Sequence, residues 1–168
     1  MITCIIQARM GSTRLPGKVM TKVDNKNRII DYVVEQLKFS KTIEKTIVAI
    51  PNLVEDDVTF NHLTSKKIQT YRGSPKNVLD RYYQCAKNES SSVIVRITAD
   101  CPLIDPDIVD KVIKKFIENK FDYVSNTHPR TFPYGTETEV FSFNALKTAW
   151  IETTDDFFKE VTKRLNYG

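Results

Sequence analysis

Short apolar runs alternate along the chain with stretches whose apolar residues recur every three or four positions. The short runs are rich in β-branched residues and predict strands, while the recurring stretches predict amphipathic helices. The predicted strands cover residues 2–8, 46–50, 68–71, 92–97, 122–125 and 139–143. The predicted helices cover residues 28–39 and 55–66, and two more begin at Ser74-Pro75 and at Asp105-Pro106. Strands separated by helices of this kind indicate βαβ units in a mostly parallel sheet.

Capping residues mark where the later helices begin. Ser74, followed by proline, combines a capping hydroxyl with a proline at the first helical position. Asp105, also followed by proline, predicts the start of the next helix, and Asn144 is the predicted cap of a last helix. The helix after Asp105 is predicted to bury one face, formed by Ile108, Val109, Val112, Ile113, Phe116 and Ile117.

Composition places the chain among ordinary globular proteins. It has 168 residues, of which 40% are hydrophobic and 27% charged, and this predicts one domain over residues 1–168 rather than a disordered tail. No apolar stretch reaches the ~18 residues that a membrane helix needs, and the first residues carry no basic leader of a signal peptide. The three cysteines include no C-x-x-C pair that would indicate a zinc ribbon or a redox motif. We therefore expect a cytoplasmic protein with reduced thiols and no membrane partner.

The charge balance narrows the class of ligand only slightly. With 25 Lys and Arg against 21 Asp and Glu, the formal net charge is +4. A weak positive charge suits anionic small molecules as well as nucleic acid. The chain lacks a sheet motif that combines basic and aromatic residues, so we do not expect it to bind nucleic acid.

The loop of residues 8–18, which follows the first predicted strand, is the richest in candidate chemistry. It contains Arg9, Arg14 and Lys18 together with two glycines and two hydroxyl residues. Glycines let backbone N–H groups approach an anion, and the cationic side chains neutralise its charge. Five residues rather than four separate the glycines, so this is not a Walker A loop, and the G-x-G-x-x-G fingerprint is absent. Because ligands bind beyond the carboxyl ends of such strands, we favour a phosphate-binding loop over a basic surface loop.

A second loop, residues 98–105, follows the fourth predicted strand and carries Asp100. The carboxyl ends of parallel strands share one edge of the sheet, so Asp100 is predicted to face the basic loop. A carboxylate in that position can hold Mg²⁺ that bridges phosphates. The alternative is that Asp100 serves as a turn or capping residue, the role that Asp105 is predicted to have at the next helix.

At these two loops the sequence becomes recognisable as a member of a family. Residues 6–18 closely resemble the opening motif of the CMP-sugar synthetases, which are CTP-dependent cytidylyltransferases of acylneuraminate, 3-deoxy-manno-octulosonate and related acid sugars. The branch that the chain resembles most is that of the spore coat polysaccharide biosynthesis cytidylyltransferases. Later motifs of that branch are similar, in the same order, to residues 73–74 with 78–82, 98–104 and 133–141. The resemblance extends from Met1 to about Trp150.

The resemblance implies transfer of CMP from CTP to an acid sugar with release of pyrophosphate, in the biosynthesis of cell-surface polysaccharide. It also implies a three-layer α/β/α Rossmann-like nucleotidyltransferase fold, a homodimer, and Mg²⁺ as cofactor. Carried over position by position, the nucleotide-binding residues are Ala8, Arg9, Gly11, Ser12, Arg14, Lys18 and Arg81. Arg14, Lys18 and the metal-binding Asp100 are implied to be catalytic, and Glu137 and Glu139 to lie on the sugar side.

The chain also departs from this family. Members usually exceed 200 residues and carry a second acidic metal ligand near the C-terminus, so the domain is expected to lack that segment. Asp155 and Asp156 are interpreted as the start of an amphipathic helix, and Cys101 stands where the acid-sugar enzymes commonly carry a glutamate. Three hypotheses stay open: an active cytidylyltransferase, a nucleotidyltransferase for another base or acceptor, and a truncated nucleotide-binding module without catalysis.

Overall fold

A computed structural model describes residues 1–12 and 15–153, and this part of the chain contains one six-stranded sheet. The strands are β1 (Ile2–Gln7), β2 (Lys45–Pro51), β3 (Thr70–Gly73), β4 (Val93–Thr98), β5 (Tyr123–Ser125) and β6 (Glu139–Ser142). Their order across the sheet is β3-β2-β1-β4-β6-β5. The first four strands run parallel, whereas β6 is antiparallel to both of its neighbours, β4 and β5. The mostly parallel sheet predicted from the sequence is confirmed.

Helices cover both faces of this sheet. Those in the described residues are α1 (Ile29–Leu37), α2 (Asp57–Ser65), α3 (Val78–Asn88), α4 (Pro106–Asn119) and α5 (Phe143–Glu152). The helices α1, α2 and α4 pack with Cys4 and Ile6 of β1, while α3 and α5 pack with Ile5 on the opposite face. Strand β1 is apolar almost throughout because both of its faces are covered. This three-layer arrangement confirms the predicted α/β/α fold, and no helix in these ranges is both long and apolar enough to cross a membrane.

One of the three predicted helix caps is confirmed and two are wrong. The carboxylate of Asp105 accepts hydrogen bonds from the backbone N–H groups of the first turn of α4. The cap of α3 is Asn77 rather than Ser74, because the Ser74 hydroxyl accepts from the backbone N–H of Asn77 and closes a turn before the helix. The cap of α5 is Ser142 rather than Asn144, since the Ser142 hydroxyl accepts from the backbone N–H three residues later at 3.0 Å.

Two further predictions need correction. Ile117 is 50% exposed, because the buried stripe of α4 recurs as Val109, Val112, Ile113 and Phe116 and leaves Ile117 at its edge. Strand β3 begins at Thr70 rather than at residue 68, because the N–H of Ile68 donates to the Leu63 carbonyl and still belongs to the end of α2.

Candidate functional site

The two loops that carry the candidate chemistry lie side by side. Gln7 pairs with Thr98 where the adjacent strands β1 and β4 end, so the loops that follow leave the sheet at the same edge. They enclose a pocket of about 160 Å³. Its lining consists of Gln7, Arg9, Ser12, Lys18, Val19, Thr98, Ala99 and Asp100. The structure thus brings three of the predicted nucleotide-binding side chains together with Asp100.

The first loop folds back on itself through one carbonyl group. The backbone N–H groups of Ser12 and Gly17 both donate to the carbonyl oxygen of Met10, at N···O distances of 2.8 and 2.9 Å. Gly17 has a φ of +69°, in the left-handed region that a Cβ disfavours. This reversal places the short 3-10 helix Lys18–Met20 directly after the loop and Lys18 on the pocket wall.

Three other predicted nucleotide-binding residues lie around this loop or outside the described ranges. Ala8 is buried and its N–H donates to the Ala49 carbonyl at 3.1 Å, so it continues the pairing of β1 with β2. Gly11 lies close to the loop after β2, since a Cβ there would be 3.0 Å from the Glu55 Oε1 atom. Arg14 falls outside the described residues, as do Asp155 and Asp156.

The buried carboxylate of Asp56, which was not predicted from the sequence, fixes the loop of residues 8–18 in place. Asp56 is 0% exposed, and its Oδ1 atom accepts a hydrogen bond from the backbone N–H of Met10 at 2.8 Å. Burial raises the pKa of Asp56, and the hydrogen bond from Met10 offsets this only in part. The available signal was its position after the second predicted strand, where the chain again leaves the same edge of the sheet. Asp56 therefore connects the segment that follows β2 to the loop of residues 8–18.

An ion pair connects the two walls of the pocket. The Nζ atom of Lys18 lies 2.5 Å from the Oδ2 atom of Asp100, and each side chain is about one third exposed, at 32% and 37%. Burial opposes ionisation of Asp100, but hydrogen bonds from Lys18 and Thr98 hold its pKa below the usual value. Asp100 is therefore a carboxylate at neutral pH, and the pocket presents cations and an anion across a short gap.

The loop between β5 and β6 brings further charged groups beside Asp100. The carboxylate of Glu137 accepts hydrogen bonds at 2.8 Å from the backbone N–H of Gly135 and from Nη1 of Arg130. The guanidinium of Arg130 stacks over the ring of Tyr134, 3.8 Å from its centroid. Glu137 Oε2 also lies 3.6 Å from the thiol sulfur of Cys101, the residue next to Asp100. Glu137 thus contacts Cys101, which follows Asp100 directly in the chain.

The surroundings of the Cys101 thiol disfavour its ionised form. Burial raises its pKa to about 11, and the neighbouring carboxylates of Asp100 and Glu137 oppose formation of the thiolate further. The thiol instead forms a weak hydrogen bond with the Thr98 hydroxyl, at a distance of 3.2 Å. No cysteine nucleophile is predicted from the sequence, and the surroundings of Cys101 do not indicate one.

Two residues carried over from the family lie in the interior rather than on the pocket wall. Arg81 is 1% exposed and its guanidinium donates to the Ser74 carbonyl at 2.9 Å, so it buttresses the turn before α3. Glu139 is 4% exposed and forms a salt bridge with Arg96 of β4. The structure therefore does not place either side chain in direct reach of a ligand in this pocket.

The residues present fit a magnesium ion that arrives with a nucleotide. Within residues 1–12 and 15–153, no group of three or more His, Cys, Asp or Glu side chains could hold a metal ion. Mg²⁺ in nucleotide sites is commonly held by one or two carboxylates together with substrate phosphates. Asp100 supplies one ionised carboxylate on the pocket wall. This donor set suits shared coordination with phosphate oxygens rather than chelation by the protein alone.

Comparison with known proteins identifies the family of the chain. Residues 3–165 match the profile of the family described as cytidylyltransferase. The chain belongs to this cytidylyltransferase family. It is 34% identical over 164 residues to the spore coat polysaccharide biosynthesis protein SpsF of Bacillus subtilis, which covers 95% of this chain and 67% of that protein. It is 31% identical over 153 residues to a 3-deoxy-manno-octulosonate cytidylyltransferase of Thermodesulfovibrio yellowstonii, with 88% and 58% covered.

A solved structure shows the same relationship in three dimensions. A cytidylyltransferase from Leptospira borgpetersenii matches with a TM-score of 0.90 at 34% identity, over 96% of this chain and 68% of that one. The predicted membership of the CMP-sugar branch of cytidylyltransferases is confirmed by these relatives. The chain spans between 58% and 68% of the length of the three proteins named here.

Proposed function

We propose that this cytidylyltransferase-family chain transfers CMP from CTP to an acid sugar and releases pyrophosphate, in the biosynthesis of a cell-surface polysaccharide. The observation that carries the proposal is the pocket in which Arg9, Ser12 and Lys18 face the Asp100 carboxylate at the ends of β1 and β4. Cationic side chains and a metal-binding carboxylate are what nucleotidyl transfer requires, because its catalysis is mostly positioning and charge stabilisation. The family profile supports the choice of CTP, the 3-deoxy-manno-octulosonate cytidylyltransferase supports that of an acid sugar, and SpsF supports that of polysaccharide biosynthesis.

In this proposal the triphosphate of CTP lies along the first loop. Arg9 and Lys18 neutralise its charge and the Ser12 hydroxyl donates to it, while Lys18 exchanges part of its contact with Asp100 for phosphate oxygens. Mg²⁺, when bound through Asp100 and phosphate oxygens, adds further neutralisation of the charge on the phosphates. The acceptor hydroxyl forms a new bond to the α-phosphorus as the bond to the leaving pyrophosphate breaks, and its proton passes to solvent.

The acceptor lies, in this proposal, on the side of Cys101 and Glu137. Arg130 is a cationic side chain on that side of the pocket, since it pairs with Glu137, which in turn contacts Cys101. Its guanidinium is the group suited to a sugar carboxylate, because it binds planar anions through two parallel hydrogen bonds. Homodimer assembly, expected from the family, remains part of the same proposal.

A nucleotide-binding module without catalysis is the second candidate. The observation in its favour is that the described residues supply one carboxylate to the pocket lining, Asp100, and no group of three or more His, Cys, Asp or Glu side chains that could hold a metal ion. A module of this kind would bind CTP without turning it over.

Pyrophosphate release distinguishes these candidates. The protein is incubated with Mg²⁺, one of CTP, UTP, GTP or ATP, and either 3-deoxy-manno-octulosonate or acylneuraminate. We expect release with CTP and an acid sugar and none from the Asp100→Asn variant. Release with a different nucleotide would move the assignment to another base, and CTP binding without release would support the module. Gln36→Asn on α1, which lies outside the pocket lining, is the matched control for a handling artefact.

A further inference from the structure

Gln7 lines the pocket, and none of the roles carried over from the family is assigned to it. It is the last residue of β1 and pairs with Thr98 of β4, and both side chains line the pocket. Because side chains alternate along a strand, Gln7 points to the same face of the sheet as Ile5, the face covered by α3 and α5. Arg96 and Glu139 lie on that face as well, since they alternate with Val95 and Val140 of the opposite apolar cluster. Gln7 is therefore the residue of β1 on this face that borders the pocket.

The orientation of the Gln7 amide is fixed by its neighbour. Nη2 of Arg96 donates to the Gln7 Oε1 atom at 3.2 Å. A guanidinium has donors only, so the atom that it contacts must be the amide oxygen rather than the nitrogen. No described residue accepts a hydrogen bond from the Gln7 Nε2 atom in the structure, and that atom is not among the buried polar atoms without a partner. The Nε2 atom is consequently not fully buried, and the residue that carries it lines the pocket.

A buried chain of polar groups holds Arg96 in turn. Arg96 forms a salt bridge with Glu139, whose Oε2 atom accepts a hydrogen bond from the Tyr123 hydroxyl at 3.3 Å. The side chains of Arg96 and Glu139 are only 13% and 5% exposed. A buried ion pair contributes little net stability because desolvation offsets its attraction, so its presence beneath a pocket calls for another role. Here the pair fixes a guanidinium against the Gln7 oxygen.

We propose that the Gln7 amide nitrogen is a specificity-determining donor to an oxygen of the sugar acceptor, and that Arg96 and Glu139 are its positioning residues. The inference rests on the proposed function and names a group that reads the acceptor. Gln7 lies on the side of Thr98, which contacts Cys101, and Cys101 in turn contacts Glu137. The triphosphate is assigned instead to the loop that begins at Arg9. The ligand group recognised by two N–H donors is a hydroxyl or carboxylate oxygen.

Two substitutions separate the donor from the rest of the side chain. Gln7→Glu keeps an oxygen for Arg96 and the shape of the side chain but removes both N–H donors. Gln7→Met removes the donors without adding a charge beside Asp100. Gln36→Glu on α1 is the matched control, because it introduces the same charge outside the pocket. Glu139→Gln keeps the size of that side chain and releases the charge that fixes Arg96.

The measurement is steady-state pyrophosphate release, with KM determined separately for CTP and for 3-deoxy-manno-octulosonate or acylneuraminate. Both Gln7 variants are expected to raise the acceptor KM by about fivefold or more, the range for a lost hydrogen bond, with the KM for CTP changed less than about twofold. Glu139→Gln is expected to raise the acceptor KM in the same direction, and Gln36→Glu to leave both constants unchanged. Thermal unfolding of each variant checks that its fold is intact.

The outcomes distinguish the inference from the function on which it rests. If the unmodified protein releases no pyrophosphate with CTP and either acid, the proposed function fails and the inference falls with it. If the unmodified protein is active and both Gln7 variants keep their acceptor KM, or lose affinity for CTP instead, only the inference is overturned.

Discussion

The contact between Lys18 and Asp100 leads to a prediction in which one substitution has opposite effects under two conditions. Their charged atoms are 2.5 Å apart, and the low pKa of Asp100 keeps its carboxylate ionised at neutral pH. Without a divalent metal, we expect this carboxylate to compete with a triphosphate for Lys18. Its negative charge also repels the triphosphate. In the proposed function, Asp100 would instead hold Mg²⁺ together with the nucleotide when the metal is present. Asp100→Asn removes the charge and keeps the shape.

The expected magnitudes follow from the exposure of the pair. Both side chains are about one third exposed, at 32% and 37%, so screening by solvent keeps the pair weak. Exposed pairs contribute about 0–1 kcal/mol, so Asp100→Asn is expected to tighten CTP binding up to ~5-fold in the absence of metal. With Mg²⁺ the variant is expected to bind CTP at least ~10-fold more weakly, since even outer contacts of a metal site are worth about 10–100-fold.

Isothermal titration of CTP in EDTA and then in Mg²⁺ measures both effects in one protein. Asp107→Asn serves as the control, because it makes the same change in an exposed residue of α4 outside the pocket lining. A shift of the same sign in EDTA and in Mg²⁺ would refute the reasoning, as would equal shifts in the control.

Three further predictions concern charged groups around the site and in the core. Lys18→Ala is expected to weaken CTP binding by about 1.5–3 kcal/mol, the range for a charged hydrogen bond, and unchanged affinity in titration would contradict its assignment to the triphosphate. Burial raises the pKa of Asp56 above that of the unfolded chain, so its ionisation costs stability as pH rises through the folded value. Asp56→Asn keeps an acceptor for Met10, and urea unfolding should find it more stable than the unmodified protein at pH 7.5, with the gain vanishing near pH 4. Burial opposes ionisation of Asp31, but hydrogen bonds from the Arg28 backbone, His62 and Lys66 lower its pKa, so stability is lost as pH falls below ~4. Asp31→Asn should therefore be less stable than the unmodified protein at pH 7 and nearly equal to it at pH 2, and a constant difference across this range would refute the assignment.

The parts of the fold that the sequence predicted are those in which the signal is local. Strand β1 and the cap at Asp105 follow from residues adjacent in the chain, and both are confirmed. The meeting of the two loops was predictable as well, because parallel strands place their carboxyl ends at one edge. The cap of α3 was misassigned because Ser74 and Asn77 both carry capping groups, and only the turn geometry decides which of them begins the helix.

The parts that could not be predicted depend on contacts between distant segments. Asp56 and Met10 are 46 residues apart. The position of Asp56 after the second predicted strand indicates only that it lies near the same sheet edge, not that its carboxylate accepts from a backbone N–H of the first loop. Arg96 and Glu139 are 43 residues apart, and they become neighbours only because β6 inserts next to β4. The resemblance implies a position on the sugar side for Glu139, and the structure adds that this side chain is buried in a salt bridge with Arg96.

The antiparallel strand β6 also has a consequence for the order in which this molecule assembles. Strand β5 precedes β6 in the chain, yet in the described sheet it pairs with β6 and not with β4. One edge of β4 therefore stays unpaired until β6 is synthesised, more than 40 residues later, and β5 has no sheet partner before that point. The strands that carry the two chemical loops, β1 and β4, pair with each other in the sheet and are both complete in the chain before β6 is synthesised. We therefore expect a nascent chain to form the parallel part of the sheet, β1 to β4, first. The edge of β4 is then open to pairing with other chains until β6 docks.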